Sequence, residues 1–365
     1  MKNDESKGLS WPLSLLVTLL ICVLAYTAAS LLTREKSHIL SDTTVLPCTS
    51  SQAVQVLGKG VVYSDGTSLR ALNDRGRQTW SYVVGANCGF NACESGVAAW
   101  SGDLLAVLNP ENGAALFSGS LGQTILSATV GSSYAAALVG EESSATLIVL
   151  ELSGREIDRI ALEDITVLDY GFFNKGEMLW VMSLDTNGTI PMSQVTTYKP
   201  GRKQSGKITD SEQIIYEVMF ESPSVYAVGT TYIRVYDYTG VENVGQRRLV
   251  YGWYLVDSDA SADGALMAFV PMAEIGTTAE INDVRLVKGN TDRTIRMPFT
   301  CFSILARGNA VYGFSSDGHM VIYATDQQTA RAYQLNLHID EVYGVTRDGV
   351  AILLSGSTVC LVSLS

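Results

Sequence analysis

Residues 61–82 read VVYSDGTSLRALNDRGRQTWSY, a stretch in which short apolar segments alternate with turns. Residues 61–63 end at Ser-Asp-Gly, residues 68–72 end at Asn-Asp-Arg-Gly, and residues 78–82 follow. Such a pattern is typical of β-strands joined by tight turns, because Gly and Asn accept the positive φ angles that these turns need. We expect a further strand before Gly96, so the stretch predicts a small antiparallel sheet.

The same plan recurs through the rest of the chain, without a convincing amphipathic helix. Corresponding positions start the copies, namely Val61, Val97, Ala135, Leu179, Val225, Leu266, Val311 and Val350. Their mean spacing of about 41 residues lies within the roughly 40–50 residues of a β-propeller blade. The sequence therefore predicts an all-β propeller of eight blades over residues 43–365. Seven blades is the alternative, if one of the weaker copies is an insertion.

The two ends of this repeat region are expected to share one blade. The last copy has only two apparent strands, at 350–354 and 358–364. Residues 43–59 look like the last strands of a repeat whose first strands are missing. A propeller that closes its ring in this way leaves no sheet edge open. Closure would also bring Cys48 close to Cys360.

An uncharged stretch of 22 residues, 11–32, precedes the repeats. As a helix it would span a hydrocarbon core of roughly 30 Å. We predict a cytoplasmic tail (1–10), a transmembrane signal-anchor helix (11–32), a linker (33–42) and an extracellular propeller. Flanking charges are nearly balanced, so this orientation depends on the lack of a second hydrophobic stretch. It gives a single-pass protein of the cell membrane.

Two other interpretations of this N-terminal stretch fit its residues less well. Cleavage after Ala29 would make it a signal peptide and the propeller a secreted protein, although the apolar region is long for a signal core. Lipid attachment at Cys22 is disfavoured because Ile21, rather than a small residue, precedes it. The uncleaved anchor is favoured, and the cleaved signal remains the alternative.

The charge balance excludes one class of partner. The formal net charge is −12, and residues 1–36 contain four basic and three acidic residues, which leaves about −13 on the remainder. An acidic domain repels a phosphate backbone, so nucleic-acid binding is not expected. We expect a partner among the proteins or glycans of the cell envelope.

Two groups of residues are weak candidates for a disulfide and a metal site. Cys88 and Cys93 could close a small disulfide loop outside the cell, although buried free thiols are the plainer interpretation. Asp257, Asp259 and Asp263 form an acidic cluster, but their spacing is wrong for a calcium loop and a β-turn explains it. No metal site, cofactor or catalytic residue is therefore predicted.

The densest group of aromatic residues offers a possible ligand face at Tyr232, Tyr236, Tyr251 and Trp253. Tyr and Trp are enriched at binding surfaces because one end of the ring system is apolar and the other polar. Packing between blades is the alternative explanation for the same residues.

The first repeat resembles the blade motif of quinoprotein-like (PQQ-like) propellers, which are related in architecture to WD40 repeats. Leu69, Ala71, Leu72, Asn73, Gly76 and Trp80 carry this resemblance. In the second repeat Phe117 takes the place of the Trp. The overall layout resembles a family of membrane-anchored propeller proteins of clostridial-type Gram-positive bacteria, to which no activity is assigned.

This resemblance implies an architecture and no reaction. Quinone-dependent dehydrogenases need a calcium-held cofactor, a catalytic Asp and usually adjacent Cys residues, and the sequence contains no adjacent Cys pair. We therefore expect a binding or scaffolding module for a protein, peptide or envelope glycan. A quinoprotein-like enzyme of the envelope is the alternative.

Overall fold

A computed structural model describes residues 38–40, 43–141, 144–202, 204–261, 264–275, 280–326 and 330–364, together with Leu19 and Val23. Its strands form eight separate sheets, seven of four strands and one of five. Consecutive strands within each sheet pair antiparallel, as in a chain that runs back and forth outwards from an axis. The prediction of an eight-bladed, all-β propeller is confirmed.

Two strands precede the first complete blade, β1 (His38–Leu40) and β2 (Thr43–Thr49). Blade 1 comprises β3 (Val54–Leu57), β4 (Gly60–Ser64), β5 (Ser68–Leu72) and β6 (Gln78–Val83). Blade 2 comprises β7 (Gly89–Cys93), β8 (Gly96–Ser101), β9 (Leu104–Leu108) and β10 (Ala115–Ser120). Blade 3 comprises β11 (Ile125–Val130), β12 (Tyr134–Val139), β13 (Ser144–Glu151) and β14 (Glu156–Glu163). Blade 4 comprises β15 (Thr166–Phe173), β16 (Met178–Asp185), β17 (Met192–Tyr198) and β18 (Gln204–Asp210).

Blade 5 comprises β19 (Ile215–Glu221), β20 (Ser224–Gly229), β21 (Tyr232–Asp237) and the short β22 (Arg248–Leu249). Blade 6 comprises β23 (Trp253–Ser261), β24 (Gly264–Pro271), β25 (Ile281–Lys288) and β26 (Thr291–Cys301). Blade 7 comprises β27 (Ser303–Arg307), β28 (Ala310–Phe314), β29 (His319–Ala324) and β30 (Ala330–Leu335). Blade 8 comprises β31 (Glu341–Val345), β32 (Val350–Ser355) and β33 (Thr358–Ser363). Two 3-10 helices lie at Val244–Gln246 and Met272–Glu274.

Blade 8 takes its fourth strand from the other end of the chain. β2 pairs antiparallel with β33, and Val45 lies opposite Cys360. The predicted sharing of one blade by the two ends is thus confirmed. The two strands predicted from Val350 onwards are β32 and β33, and β31, which precedes this predicted copy, is the inner strand of the blade.

The predicted repeats are shifted by one strand from the real blades. Val61 and Val97 lie in β4 and β8, the second strands, and the strand expected before Gly96 is β7, the first strand of blade 2. The first strands of neighbouring blades contact one another around most of the ring and so surround the axis. They line a central channel, which explains their mixed polar and apolar sequences.

The core lies between blades rather than within them. Eight clusters of buried apolar side chains each join two neighbouring blades, including one that joins blade 8 to blade 1. Leu46 of β2 and Val61 of β4 are both buried in the cluster that closes the ring. The apolar repeat therefore encodes the contact of each blade with the next.

The ring has two different faces because its strands alternate in direction. The upper face, as we name it, carries the links from each outer strand to the next blade and the loops between second and third strands. The lower face carries the other two hairpin loops of each blade. Loops of both faces surround the channel, which gives two separate mouths at which a ligand can approach.

The predicted membrane anchor lies almost wholly outside the described residues. Only Leu19 and Val23 of the stretch 11–32 are described, and both are helical and exposed. Among the described parts of the chain, no helix has the length and apolar character needed to cross a membrane. Within the stretch predicted as a linker, β1 pairs in parallel with β30 and adds a fifth strand to blade 7.

Candidate functional site

The first strands of blades 3 to 6 share a β-bulge near their upper ends. In each, one extra residue shifts the register, and a polar residue follows it directly. These polar residues are Ser127, Asp169, Glu217 and Asp257. A bulge re-aims the side chains next to it and is common at functional sites. The bulges place four polar residues at equivalent positions near the upper ends of four consecutive inner strands.

We name Asp169, Glu217 and Asp257 the mouth carboxylates, and the first and third of them act electrostatically on Glu217. Burial raises the pKa of Glu217 to about 7, and the negative charges of Asp169 and Asp257 add to the effect. Burial also raises the pKa values of Asp169 and Asp257, even though Asp169 stays in contact with the water of the channel. Like charges held among packed strands resist ionisation together, so this site favours an incoming positive charge.

The acidic cluster at the start of blade 6 has a structural role. Asp257 accepts a hydrogen bond from the Ala306 N–H at 2.7 Å, and Asp259 accepts one from the Gly308 N–H. Arg307 Nη1 lies 3.8 Å from Asp259. These contacts join β23 to blade 7. The structure describes no group of three or more His, Cys, Asp or Glu residues that could hold a metal, and Asp263 lies outside the described residues.

Exposed apolar side chains surround the mouth carboxylates on the upper face. Of the sixteen large apolar side chains that are exposed in the described residues, ten belong to blades 4 to 6, and eight of these lie on the upper face with at least 42% of their surface accessible. We name this set the rim: Leu168, Ile190, Ile214, Leu249, Tyr251, Tyr254, Met272 and Ile275. A concentration of exposed apolar side chains on one face of a folded protein marks an interaction site.

Hydrogen bonds between loops hold the rim together. Met272 N donates to Gly252 O at 2.9 Å, and Thr230 N donates to Ile214 O at 3.1 Å. Tyr254 stacks on Tyr216 with ring centroids 5.5 Å apart, and the Tyr216 hydroxyl accepts a hydrogen bond from Leu255 N. The rim is therefore fixed to the inner strands that carry Glu217 and Asp257.

The aromatic residues predicted as a ligand face separate into two environments. Tyr251 is 75% exposed and belongs to the rim, and Tyr232 and Trp253 lie half-buried beside it. The Arg247 guanidinium lies 5.5 Å from the ring centroid of Tyr232. Tyr236 is buried between blades 4 and 5, so it cannot contact a ligand on this face. Its inclusion is wrong because Tyr236 lies four residues further along β21 than Tyr232, where the same side of the strand packs against blade 4.

The disulfide between Cys88 and Cys93, which the sequence analysis left as the less favoured alternative, does not form. Both thiols are free, and β7 separates the two residues by five positions of extended chain, or about 16 Å. A disulfide needs Cα atoms less than about 7 Å apart. The Cys88 thiol instead contacts Ser64 Oγ at 3.0 Å, and the Cys93 thiol donates to Val130 O at 3.1 Å.

The lower end of the channel opens into a cavity of about 440 Å³. Its wall carries charges of both signs, including Asp259, Arg307 and Arg347. Arg347 of blade 8 forms an ion pair with Glu94 of blade 2, with Nε 2.7 Å from Oε1. A groove of about 400 Å³ beneath blades 1 and 2 adjoins it. The lower mouth is thus electrically balanced, unlike the upper mouth.

Sequence reasoning missed Asp169 and Glu217. They stand alone in the sequence, 48 positions apart, and only the closed ring brings their strands side by side. A signal was available, because each follows two apolar residues at the start of a short run, as in TVLD and IYE. These isolated acids can be recognised as equivalent only when the repeats are aligned so that each begins at the inner strand of its blade.

Solved structures show the same architecture at low sequence identity. No family model and no curated protein matches this sequence. BamB from Moraxella catarrhalis superposes with a TM-score of 0.52 at 12% identity, over 89% of this chain and 97% of that chain. The C-terminal WD40 domain of Sif2 gives 0.63 at 12% identity, over 90% and 99%. Sqt1 of Saccharomyces cerevisiae gives 0.57 at 8% identity, over 91% and 99%.

These likenesses cover nearly the whole of each solved chain, so the ring corresponds to a complete propeller. At such low identity they show the fold and carry no residue from one protein to another. The chain has the WD40-like and PQQ-like β-propeller architecture that its first repeat resembles.

Proposed function

We propose that this chain is a membrane-anchored propeller that binds a protein of the cell envelope through the rim. The observation that carries the proposal is the concentration of exposed apolar side chains on the upper face of three consecutive blades. Water-exposed apolar surface is costly, and covering it with a partner is favourable in proportion to the area removed from water. A rigid ring with eight interblade cores presents this surface without rearrangement.

The location in the proposal is supported by the N-terminal stretch 11–32, whose 22 uncharged residues suit a single membrane span. If the N-terminus lies in the cytoplasm, the propeller lies on the outer side of the membrane. Protease added to intact cells should then digest the propeller. If the propeller stays intact while a control surface protein is cut, the orientation is wrong.

Site-specific photo-crosslinking in the cell that encodes the chain tests the binding face. The photoreactive amino acid benzoylphenylalanine replaces Tyr251 on the rim of the full chain. As the matched control it replaces Val241, which is 66% exposed at a lower turn of the same blade. We expect a light-dependent covalent adduct with an envelope protein at Tyr251 and none at Val241. A lack of protein adducts at both positions would overturn the proposal.

The proposal assigns no reaction and no cofactor to the chain. Absorbance and metal analysis of the purified full chain test this part of it. A tightly bound quinone or stoichiometric calcium would favour the quinoprotein-like enzyme instead.

A further inference from the structure

The upper mouth combines two features that call for one kind of occupant. The rim offers apolar contact, and the mouth carboxylates lie just beneath it on β15, β19 and β23. These three strands contain five acidic residues and no Lys, Arg or His. An apolar segment alone would leave the carboxylates facing a surface that cannot pair with them, which costs free energy on binding.

The charge is concentrated at the middle of the rim. Glu217 belongs to blade 5, and the acids that disfavour its ionisation lie on the blades to either side. Arg307 is the nearest cation in the described inner strands, and it lies against Asp259 and donates to Val345 O, towards the lower mouth. A cation that reaches the inner strands from above would therefore meet Glu217 before Arg307.

The aromatic pair at the edge of the mouth suits the stem of a long basic side chain. Tyr216 and Tyr254 stack almost parallel, with an interplanar angle of 6°. The methylene groups of Lys or Arg pack on such rings while the charged end continues to a carboxylate. Tyr254 also belongs to the rim, so the basic side chain and its apolar neighbours would contact one continuous surface.

We propose that the occupant is a segment of the partner protein that inserts one Lys or Arg side chain towards Glu217, with apolar residues on either side of it packed on the rim. This inference rests on the proposed function and specifies the chemistry of the partner. Apolar flanks distinguish such a segment from a free polyamine, and the basic residue distinguishes it from a purely apolar peptide.

Selection from a library of random twelve-residue peptides tests the inference. The immobilised full chain is the bait, and the enriched peptides are sequenced. We expect one Lys or Arg bordered by apolar residues. The best peptide is then measured against Glu217→Gln, which should weaken binding on the order of tenfold. The control Glu111→Gln removes the same charge from an exposed lower turn and should leave the dissociation constant unchanged.

A double-mutant cycle separates a direct contact from a general loss of charge. Replacing the basic residue of the peptide by norleucine should weaken binding to the wild-type chain and have little further effect on Glu217→Gln. Tyr254→Ser should weaken binding independently of these changes, which provides a second variant if Glu217→Gln alters the fold. Thermal unfolding of each variant reports on that fold.

Three results would overturn the inference: no enriched peptide, enriched peptides without a basic residue, or equal weakening by Glu217→Gln and Glu111→Gln. These results differ from failure of the proposed function. If a partner crosslinks at Val241 but not at Tyr251, the chain binds a protein, but not through the rim. If the partner crosslinks at Tyr251 and Glu217→Gln binds the selected peptide as tightly as wild type, the rim is the binding face but no basic residue pairs with Glu217.

Discussion

The indole ring of Trp80 covers Gly113 of the neighbouring blade. Its Nε1 donates a hydrogen bond to Pro110 O at 3.0 Å, and a Cβ atom at Gly113 would lie 2.6 Å from Cδ2 of the ring. Phe117 covers Gly154 of blade 3 in the same way. In blades 1 and 2 the residue at the Trp position of the repeat thus packs the outer strand onto a glycine turn of the next blade.

Gly113→Ala should destabilise the propeller by about 3 kcal/mol or more, because a side chain at φ +67° is strained and also collides with Trp80. Gly102→Ala is the matched control, since Gly102 has φ +61° but nothing within 4 Å of an added Cβ. The control should lose only about 1–2 kcal/mol. Urea unfolding of both variants measures the difference. Equal losses would mean that the indole contact contributes little.

Glu217 should make stability depend on pH near neutrality. Its folded pKa of about 7 lies above the ordinary value of 4.5, because burial and the neighbouring carboxylates disfavour its charged form. Above pH 4.5 the unfolded chain releases the proton more readily than the folded chain. The destabilisation therefore begins near pH 4.5, grows as the pH rises, and is complete above about pH 7.

Thermal unfolding of wild type and Glu217→Gln between pH 4.5 and 8 measures this effect. The variant should gain stability relative to wild type as the pH rises, whereas Glu111→Gln should follow the wild-type curve. Parallel curves for wild type and Glu217→Gln would show that the carboxyl titrates in its ordinary range.

Ring closure should depend on Leu46, which is 3% exposed in the cluster that joins blade 8 to blade 1. Leu46→Ala should cost about 2–5 kcal/mol, because it removes buried methyl groups and leaves a cavity. Val45→Ala, one position along the same strand and 64% exposed, should cost less than about 0.5 kcal/mol. Hydrogen exchange should show the loss of protection first in β2 and β33. Equal costs would argue against the pairing of these strands.

A buried ion pair links blades 4 and 5, and its loss should lower the free energy of unfolding. Arg234 Nη1 lies 3.3 Å from Asp210 Oδ2, and both side chains are almost inaccessible to water. Asp210→Ala should cost about 3–5 kcal/mol, because it leaves the guanidinium buried without this partner. Glu212 also contacts Arg234 but is 70% exposed, so Glu212→Ala should cost less than about 1 kcal/mol.

Chemical denaturation of the two alanine variants tests this difference. The double variant Arg234→Met/Asp210→Leu should recover most of the stability lost by Asp210→Ala, since apolar replacement of a buried pair is often neutral or stabilising. If Asp210→Ala and Glu212→Ala are equally mild, the pair does not hold the blades together.

The blade number and the split blade could be predicted because interblade packing imposes a regular apolar repeat. Val61, Val97 and Val311 are buried at equivalent places in β4, β8 and β28, where each strand has neighbours on both sides. The inner strands do not share this regularity, since one edge of each faces the channel. Residues 89–93 (GFNAC) alternate poorly, and for this reason the predicted repeats began one strand late.

The candidate site could be predicted only in part. Tyr251 and Trp253 were found because aromatic residues cluster locally in the sequence. Glu217 was not, because its role depends on Asp169 and Asp257, which lie on other blades, and on a one-residue bulge in each strand. Local patterns report which residues pack, whereas a channel is formed by residues that are distant in the chain.

The pairing of β2 with β33 has a consequence for the time course of synthesis. Thr49 lies opposite Thr358, so β2 leaves the ribosome about 309 residues before its partner exists. At ribosomal rates this delay is roughly 15–60 s. During that interval the growing chain is an open arc, with an unpaired apolar strand at one end and a newly made blade at the other. Both ends therefore remain open to unwanted strand pairing until the last strand arrives.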